Sequence, residues 1–515
     1  MSHAKLTVSI LLLKIIEATF EAKLKQPKAF PKGFHTMRIY GSDDLKYYYT
    51  NIWVGTPPQR QSVIIDTGSD YLAFPCSRCP KGKCGNHNNP VFNIENDKTA
   101  RIVKCHERID NYQCNICNKD GNCSFSKSYL EGSSLFGEVY EDNIRLFAPK
   151  TLQTQKNTRR LPNMLKKNAG RNEVIHKHDL KGTKGTFGCT MQETGLFKTQ
   201  KANGIMGLSP RTDTAAASPN FVDSLFIDHK VKNRNFSVCL GTRGGFLTFG
   251  GYNTNKHIKG EPIQTVRYTD QYHIKFGGPS AGLSNTKEAK LEYEALLDSG
   301  TTFTYLLAPV FNKLASNFTS WCKKTKSPHG AICGGKPVFA NNYCVDYKKS
   351  DYGSTDKFLA TFPKLFFRIA NKGELVWFPK DYFELSHKYS NDHMKFCSSI
   401  NTETMGIGAY STFGSLFFRH YDVYFNRSKK TVSFARSECE DRSKRAYPIL
   451  GVKKYIKKVR ILMGSLFDNM YGLCGVFLVL AGLIGVILMR YGFLAKFVEM
   501  LGAKDQKTAN ENQTE

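Results

Sequence analysis

Along most of the chain, short runs of β-branched and aromatic residues are closed off by Gly, Pro and Asn. Residues 236–240, 246–249 and 365–369 are of this kind, and each reads as a strand bounded by turn residues. Helical periodicity is scarce, with residues 220–226 and 309–322 its clearest instances. The pattern predicts a mostly β protein. Residues 151–186 interrupt it: they are polar, basic and poor in strand formers, which predicts an extended surface insertion.

A repeat inside the chain organises this pattern. The run Val63-Ile64-Ile65-Asp66-Thr67-Gly68-Ser69 returns as Ala295-Leu296-Leu297-Asp298-Ser299-Gly300-Thr301. A second pair of segments follows in the same order, Gly204-Ile205-Met206-Gly207 after the first Asp and Ser411-Thr412-Phe413-Gly414 after the second. Two half-molecules are therefore expected. Each runs from an apolar strand into an Asp turn and much later into an apolar segment ending in Gly.

The ends read differently. An apolar run at residues 6–13, with Lys5 before it and Ala18 and Ala22 after it, resembles a signal peptide interrupted by Lys14 and Glu17. Residues 472–489 carry no charge and approach the ~20 apolar residues that a bilayer-spanning helix needs. The expected organisation is a signal peptide (1–22), a short pro-like segment (23–45), an N-terminal lobe with a Cys-rich insert (46–265) and a C-terminal lobe (266–440). A basic linker (441–471), one transmembrane helix (472–489) and a cytosolic tail (490–515) would complete it. Lysines and arginines flank the apolar segment almost equally on both sides, so the type I orientation with a lumenal body rests on the signal and the cysteines.

A hydrophobic share of 41% is ample for sizeable cores and excludes a chain disordered throughout. The excess of 73 Lys and Arg over 44 Asp and Glu raises the question of a nucleic-acid partner. The cations are spread along the chain without a recognised nucleic-acid motif, so they read as solvated surface and no nucleic acid is expected.

Of the 15 cysteines, only Cys474 lies in the C-terminal apolar segment. The remainder are Cys76, Cys79, Cys84, Cys105, Cys114, Cys117, Cys123, Cys189, Cys239, Cys322, Cys333, Cys344, Cys397 and Cys439, an even set that suits disulfides in an oxidising lumen. Their connectivity is left open. The cluster from Cys76 to Cys123 contains two C-x-x-C pairs, so structural zinc is the rival reading there.

Hydrolysis of a peptide bond requires that water lose a proton while the carbonyl oxygen gains one. Two facing carboxyl groups that share a proton can do both. Like charges about 3 Å apart do not both ionise, so such a pair keeps one proton under acidic to near-neutral conditions. Here Ile64-Ile65 and Leu296-Leu297 anchor the two strands, and the small turn residues Thr67-Gly68 and Ser299-Gly300 offer amides and hydroxyls to hold the carboxylates. Asp66 and Asp298 are the candidate catalytic pair, in a chemistry that needs no metal and no cofactor.

A lone Asp-Thr-Gly is also an ordinary Asx turn, but two of them, each after an apolar strand and before its own Gly element, form a far more specific signal. The arrangement resembles the pepsin-like aspartic proteases over roughly residues 47–438, most of the chain. The stretch from Tyr49 through Gly55-Thr56-Pro57-Pro58-Gln59 is typical of that family, and Tyr129-Leu130-Glu131-Gly132-Ser133 matches its flap hairpin. The resemblance implies a bilobal fold with lobes related by a pseudo-twofold axis, protein or peptide substrates, and Tyr129 capping the substrate over the carboxylates. Gly68, Gly300 and Thr301 would line the substrate site.

The Cys-rich insert after Asp66 and the C-terminal apolar segment resemble the nepenthesin-like branch, and within it the plasmepsin V group of apicomplexan parasites. Membership there implies a membrane protein of the endoplasmic reticulum that cuts exported proteins after the Leu of an Arg-x-Leu motif. Glu131 stands two positions after the flap Tyr, where that group has an acidic residue facing the substrate Arg, and Gln200 could add to the same pocket. The chain departs from the group at Leu130, where plasmepsin V has a free cysteine, and at Asp70, where many relatives have Ser. Asp70 is expected to point outward into solvent. A broader-specificity protease of the same fold and a non-catalytic peptide-binding relative are the alternative readings.

Overall fold

The computed structural model describes residues 34–440 except 42–44, 110–111, 130, 149–181, 211–218, 285–289, 326–332, 334–338, 370–372 and 404–409. The apolar segment 472–489, the signal-like segment 1–22 and Leu130 lie outside the described residues. No helix among the described residues is long and apolar enough to cross a membrane.

The architecture is mostly β, with a 14-stranded and a 7-stranded sheet carrying the two Asp turns and smaller 3- and 2-stranded sheets beside them. The first Asp strand, Gln59–Asp66, lies between Tyr48–Val54 and Gly204–Gly207. The second, Tyr293–Leu297, lies between His273–Ala281 and Ser411–Phe413. In both cases the neighbour that follows later in the chain is parallel, pairing Gly207 with Asp66 and Phe413 with Leu297. The repeat seen in the sequence is thus a repeat of strand pairing.

The larger sheet joins the two halves of the chain. Tyr421–Asn426, near the C-terminal end, pairs antiparallel with Phe236–Gly241, and Phe236 stacks on Phe425 at 4.8 Å between ring centroids. The disulfide between Cys239 and Cys439 ties the same two regions across a separation of 200 residues. A loop that long, closed covalently, restricts the unfolded chain strongly.

One expectation about boundaries is corrected, and one stretch gains a strand. Within residues 23–45, expected as a short pro-like segment, His35–Gly41 is a strand held between Gly244–Phe249 and Tyr48–Val54. Its alternate residues Met37 and Ile39 are buried in the main core, as the period of two in a strand demands. The insertion expected over 151–186 ends earlier, because Thr183–Glu193 is a strand paired along Ser134–Arg145. Gly185 and Gly188 weaken its propensity, but they let the chain pass Ile144 and Phe125 closely, and tertiary pairing overrides propensity.

The two helical periodicities fall on helices. Phe221–Ile227 is capped by the Asn220 side chain, which accepts from the Asp223 amide. Ala308–Lys324 starts with Pro in its first turn, buries Val310, Phe311, Leu314, Phe318 and Cys322, and ends on Lys323 and Lys324, which suit the negative end of its dipole.

All fourteen cysteines outside the C-terminal segment are paired. The bonds are Cys76–Cys189, Cys79–Cys84, Cys105–Cys117, Cys114–Cys123, Cys239–Cys439, Cys322–Cys333 and Cys344–Cys397. Both C-x-x-C pairs are split between different disulfides. Their sulfurs therefore offer no thiolate to a zinc ion, even where Cys105, His106 and Cys117 lie close together.

If His35–Gly41 is an integral strand, Ile39→Ala should lower unfolding stability by about 3 kcal/mol, the usual cost of emptying a fully buried aliphatic site. Denaturant unfolding followed by fluorescence measures this, and an unchanged midpoint would contradict the assignment.

Candidate active site

The two Asp turns meet through four hydrogen bonds that cross from one half to the other. The Thr67 hydroxyl donates to the Leu297 carbonyl at 2.7 Å and accepts from the Ser299 amide at 2.9 Å. The Ser299 hydroxyl donates to the Ile65 carbonyl at 2.8 Å and accepts from the Thr67 amide at 3.1 Å. Both side chains are essentially inaccessible to solvent, at 0% and 1% exposure, so every donor and acceptor here must find its partner inside the protein. Each Asp is thus locked to the turn of the other.

The carboxylates are held symmetrically by their own turns. Gly68 donates its amide to Asp66 Oδ1 and Gly300 donates its amide to Asp298 Oδ1, each at 2.8 Å. Ser69 donates its hydroxyl to Asp66 Oδ2, and Thr301 donates its hydroxyl to Asp298 Oδ2 at 2.6 Å. The turn glycines are required by proximity: a Cβ on Gly68 would sit 2.5 Å from Asp298 Oδ1, and one on Gly300 would sit 2.4 Å from Asp66 Oδ1. Only the absence of a side chain lets the two carboxyl groups approach.

Burial and the facing Asp298 push Asp66 well above the ordinary carboxyl range, against the opposing hydrogen bonds from Ser69 and Gly68. Two carboxyl groups so placed hold one proton between them. The arrangement can give a proton to one oxygen and take one from another without moving the backbone.

Above the first turn, Ser124–Ser128 and Ser134–Arg145 form a hairpin whose tip carries Tyr129, Glu131 and Gly132. The tip is closed by hydrogen bonds from the Tyr129 amide to the Ser133 carbonyl and from the Gly132 amide to the Tyr129 carbonyl. Tyr129 packs on Phe197 at 5.0 Å between ring centroids. Its phenol is pushed well above its ordinary value by burial and by the Asp66 carboxylate. Glu131 is exposed on the turn.

Some residues do other work than their sequence positions suggested. Thr67 and Ser299 were expected to hold the carboxylates; their hydroxyls instead cross to the opposite strand, and Ser69 and Thr301 hold the carboxylates. Thr301, read as a substrate contact, has its hydroxyl committed to Asp298. Asp70, expected in solvent, is only 20% exposed and pairs with Lys127 at 3.5 Å, because the hairpin strand folds over it. Gln200 gives its backbone carbonyl to His87, and its side-chain nitrogen is buried without a hydrogen-bond partner. Ser69 and Phe197 were missed. Ser69 was legible, since it stands three residues after Asp66 as Thr301 does after Asp298.

The family model of eukaryotic aspartyl proteases matches residues 170–437, and a model described as the xylanase inhibitor N-terminal domain matches residues 48–251. The chain belongs to the eukaryotic aspartyl protease family. Among the relatives of this aspartyl protease is plasmepsin V of Plasmodium falciparum, 24% identical across 84% of this chain and 78% of that protein. Aspartic protease 5 of Toxoplasma gondii is 28% identical across 78% of this chain but only 37% of its own length. Aspartyl protease family protein 1 of Arabidopsis thaliana is 26% identical across 80% of this chain and 71% of its own. The family makes the chain an aspartic endopeptidase acting on proteins or peptides.

The crossed hydrogen bonds give a test that spares the carboxylates. Thr67→Val leaves the Leu297 carbonyl and the Ser299 amide without partners, which should cost about 2 kcal/mol of stability. The accompanying shift of the Asp pair should lower kcat at least about tenfold, while Thr67→Ser stays near wild type. Equal activity of the Val and Ser variants would show that the crossed bonds do not position the pair.

Proposed function

We propose that Asp66 and Asp298 are the catalytic pair of a membrane-anchored endopeptidase of the secretory pathway that cuts exported proteins after the Leu of an Arg-x-Leu motif. The observation that carries the catalytic part is the symmetric cradle, in which each carboxyl group is held by its own turn and faced by the other. A water molecule between them loses a proton to the ionised carboxylate as it attacks the substrate carbonyl. The protonated carboxyl gives its proton to the carbonyl oxygen, and a tetrahedral intermediate forms. Its collapse breaks the C–N bond as the leaving nitrogen takes up a proton. Tyr129 covers the site from the hairpin, and Gly68 and Gly300 keep the approach to the carboxylates free of side chains.

Resemblance to the plasmepsin V group supports the finer reading of substrate and compartment. Glu131 would pair with the substrate Arg, because a carboxylate and a guanidinium form two parallel hydrogen bonds. The seven disulfides suit an oxidising lumen, with the ER the proposed compartment and residues 472–489 the single span of a type I membrane protein. Broader specificity is the second reading, and the exposure of Glu131 favours it, since a pair formed in water discriminates weakly.

The test is cleavage of a fluorogenic Arg-x-Leu peptide and its Arg→Lys variant by the purified protein beside Asp66→Ala. Cleavage of the Arg peptide alone, lost in Asp66→Ala and reduced about tenfold in Glu131→Gln, is the expected result. Cleavage of both peptides would retain the Asp pair and discard the guanidinium pocket. Because Asp66 is shifted upward, activity should persist above the ordinary carboxyl range and be lost as pH rises through its raised value. Retention in the membrane pellet after carbonate extraction supports the span, and release into the supernatant sinks it.

A further inference from the structure

His87 sits in the Cys-rich insert, outside the catalytic pair, with its side chain 1% exposed. Both ring nitrogens face acceptors: Nδ1 lies 3.0 Å from the Gln200 carbonyl and Nε2 lies 3.0 Å from Glu193 Oε2. A neutral imidazole carries one N–H and could satisfy only one of them. Two acceptors on two nitrogens call for the imidazolium. Its counter-charge is Glu193, whose side chain is 0% exposed and also accepts the Gly85 amide at 2.7 Å.

The ion pair lies where the insert grips the segment 194–201. The Glu193 amide donates to the Lys83 carbonyl and the Asn88 amide donates to the Lys201 carbonyl. The insert is drawn so close that a Cβ on Gly85 would sit 2.2 Å from the Lys198 carbonyl oxygen. From there the segment reaches the flap. The Leu196 amide donates to the Ser133 hydroxyl, the Ser134 amide donates to the Thr194 hydroxyl, and Phe197 packs on Tyr129.

We propose that His87 and Glu193 form a proton-dependent clamp that positions the flap, making His87 a positioning residue for substrate binding. The proposal rests on the reading of Tyr129 as the cap over the substrate. While His87 is charged, segment 194–201 is held at both ring nitrogens and supports Tyr129 through Phe197. Loss of the proton breaks one of the two bonds and leaves Glu193 as a buried carboxylate without its cation, so the wall behind Tyr129 loosens.

The charged groups around His87 come from each neighbouring element. Glu193 from the strand Thr183–Glu193 favours the cation, and Lys201 opposes it. Lys83 meets Glu193 only through its backbone, and the Lys198 ammonium is turned toward the Gly82 carbonyl. Burial alone would lower the His87 pKa, but the bonds from Glu193 and Gln200 outweigh it and the value is raised. For a raised histidine the sign is fixed: the clamp is at full strength below the unfolded value of about 6.5 and is lost as pH rises through the folded value.

The test is KM and kcat of the full-length protein, from about pH 5 to about pH 9, on a peptide that the wild type cleaves. Wild-type KM should rise about tenfold as His87 deprotonates, the usual worth of one charge-assisted hydrogen bond. In Glu193→Gln the oxygen shared by the Gly85 amide and His87 Nε2 becomes a neutral carboxamide oxygen, so the imidazolium loses its counter-charge and the KM inflection should move to lower pH. His87→Gln should show the high KM at every pH with kcat at low pH near wild type. The same KM inflection in Glu193→Gln as in wild type overturns the clamp, as does a flat wild-type KM or variants that change only the thermal midpoint. If the wild type cleaves nothing, the cap reading fails with it; if it cleaves and the KM profiles coincide, only the clamp fails.

Discussion

Two carboxyl groups repel each other as soon as both lose their protons, so a protein that keeps them face to face must hold them by something stronger than that repulsion. Here that is the crossed set of hydrogen bonds between Thr67 and Ser299 and the carbonyls of Leu297 and Ile65. Each such bond contributes about 1 kcal/mol net, yet breaking one inside a dry interior costs more, because the abandoned group has no water to turn to. The asymmetry makes the junction rigid. The two Asp strands arrive in register because each is pinned to a later parallel strand, at Gly207 and at Phe413, and the sheets then carry that register outward.

The glycines complete the same constraint. Gly68 and Gly300 lie where any Cβ would enter the opposite carboxyl group, and Gly414 lies where one would meet the Phe303 carbonyl oxygen at 2.1 Å. Backbones packed this closely tolerate little adjustment. Rigidity near the reacting atoms then follows from sterics, before any hydrogen bond is counted.

Much of this was legible in the sequence because the chain states it twice. The repeated Asp turns, the later Gly elements and the strand at 236–240 depend on local patterns, and they fall where the patterns put them. What stayed hidden depends on partners far along the chain. His87 reads as one more residue of a polar loop, since its two acceptors lie 106 and 113 positions away. The strand His35–Gly41 was obscured by its place near the start, although Met37 and Ile39 already carried the alternation of a buried face. The hydroxyls of Thr67 and Ser299 were assigned to the nearest charges, whereas the facing half supplies their partners, a fact about the junction of the halves rather than about either one.

Two kinds of force therefore hold the two sides of the site. The crossed bonds beneath the carboxylates join hydroxyls to amides and carbonyls, none of which titrates in the range where a peptidase works. The wall behind Tyr129 is fixed through an imidazole and a carboxylate, and its strength follows the proton on His87. A change of pH can loosen the wall and leave the floor in place. The chemistry of proton transfer and the geometry of substrate capture are thus given separate dependences on the same variable, the first through the carboxyl pair and the second through the clamp.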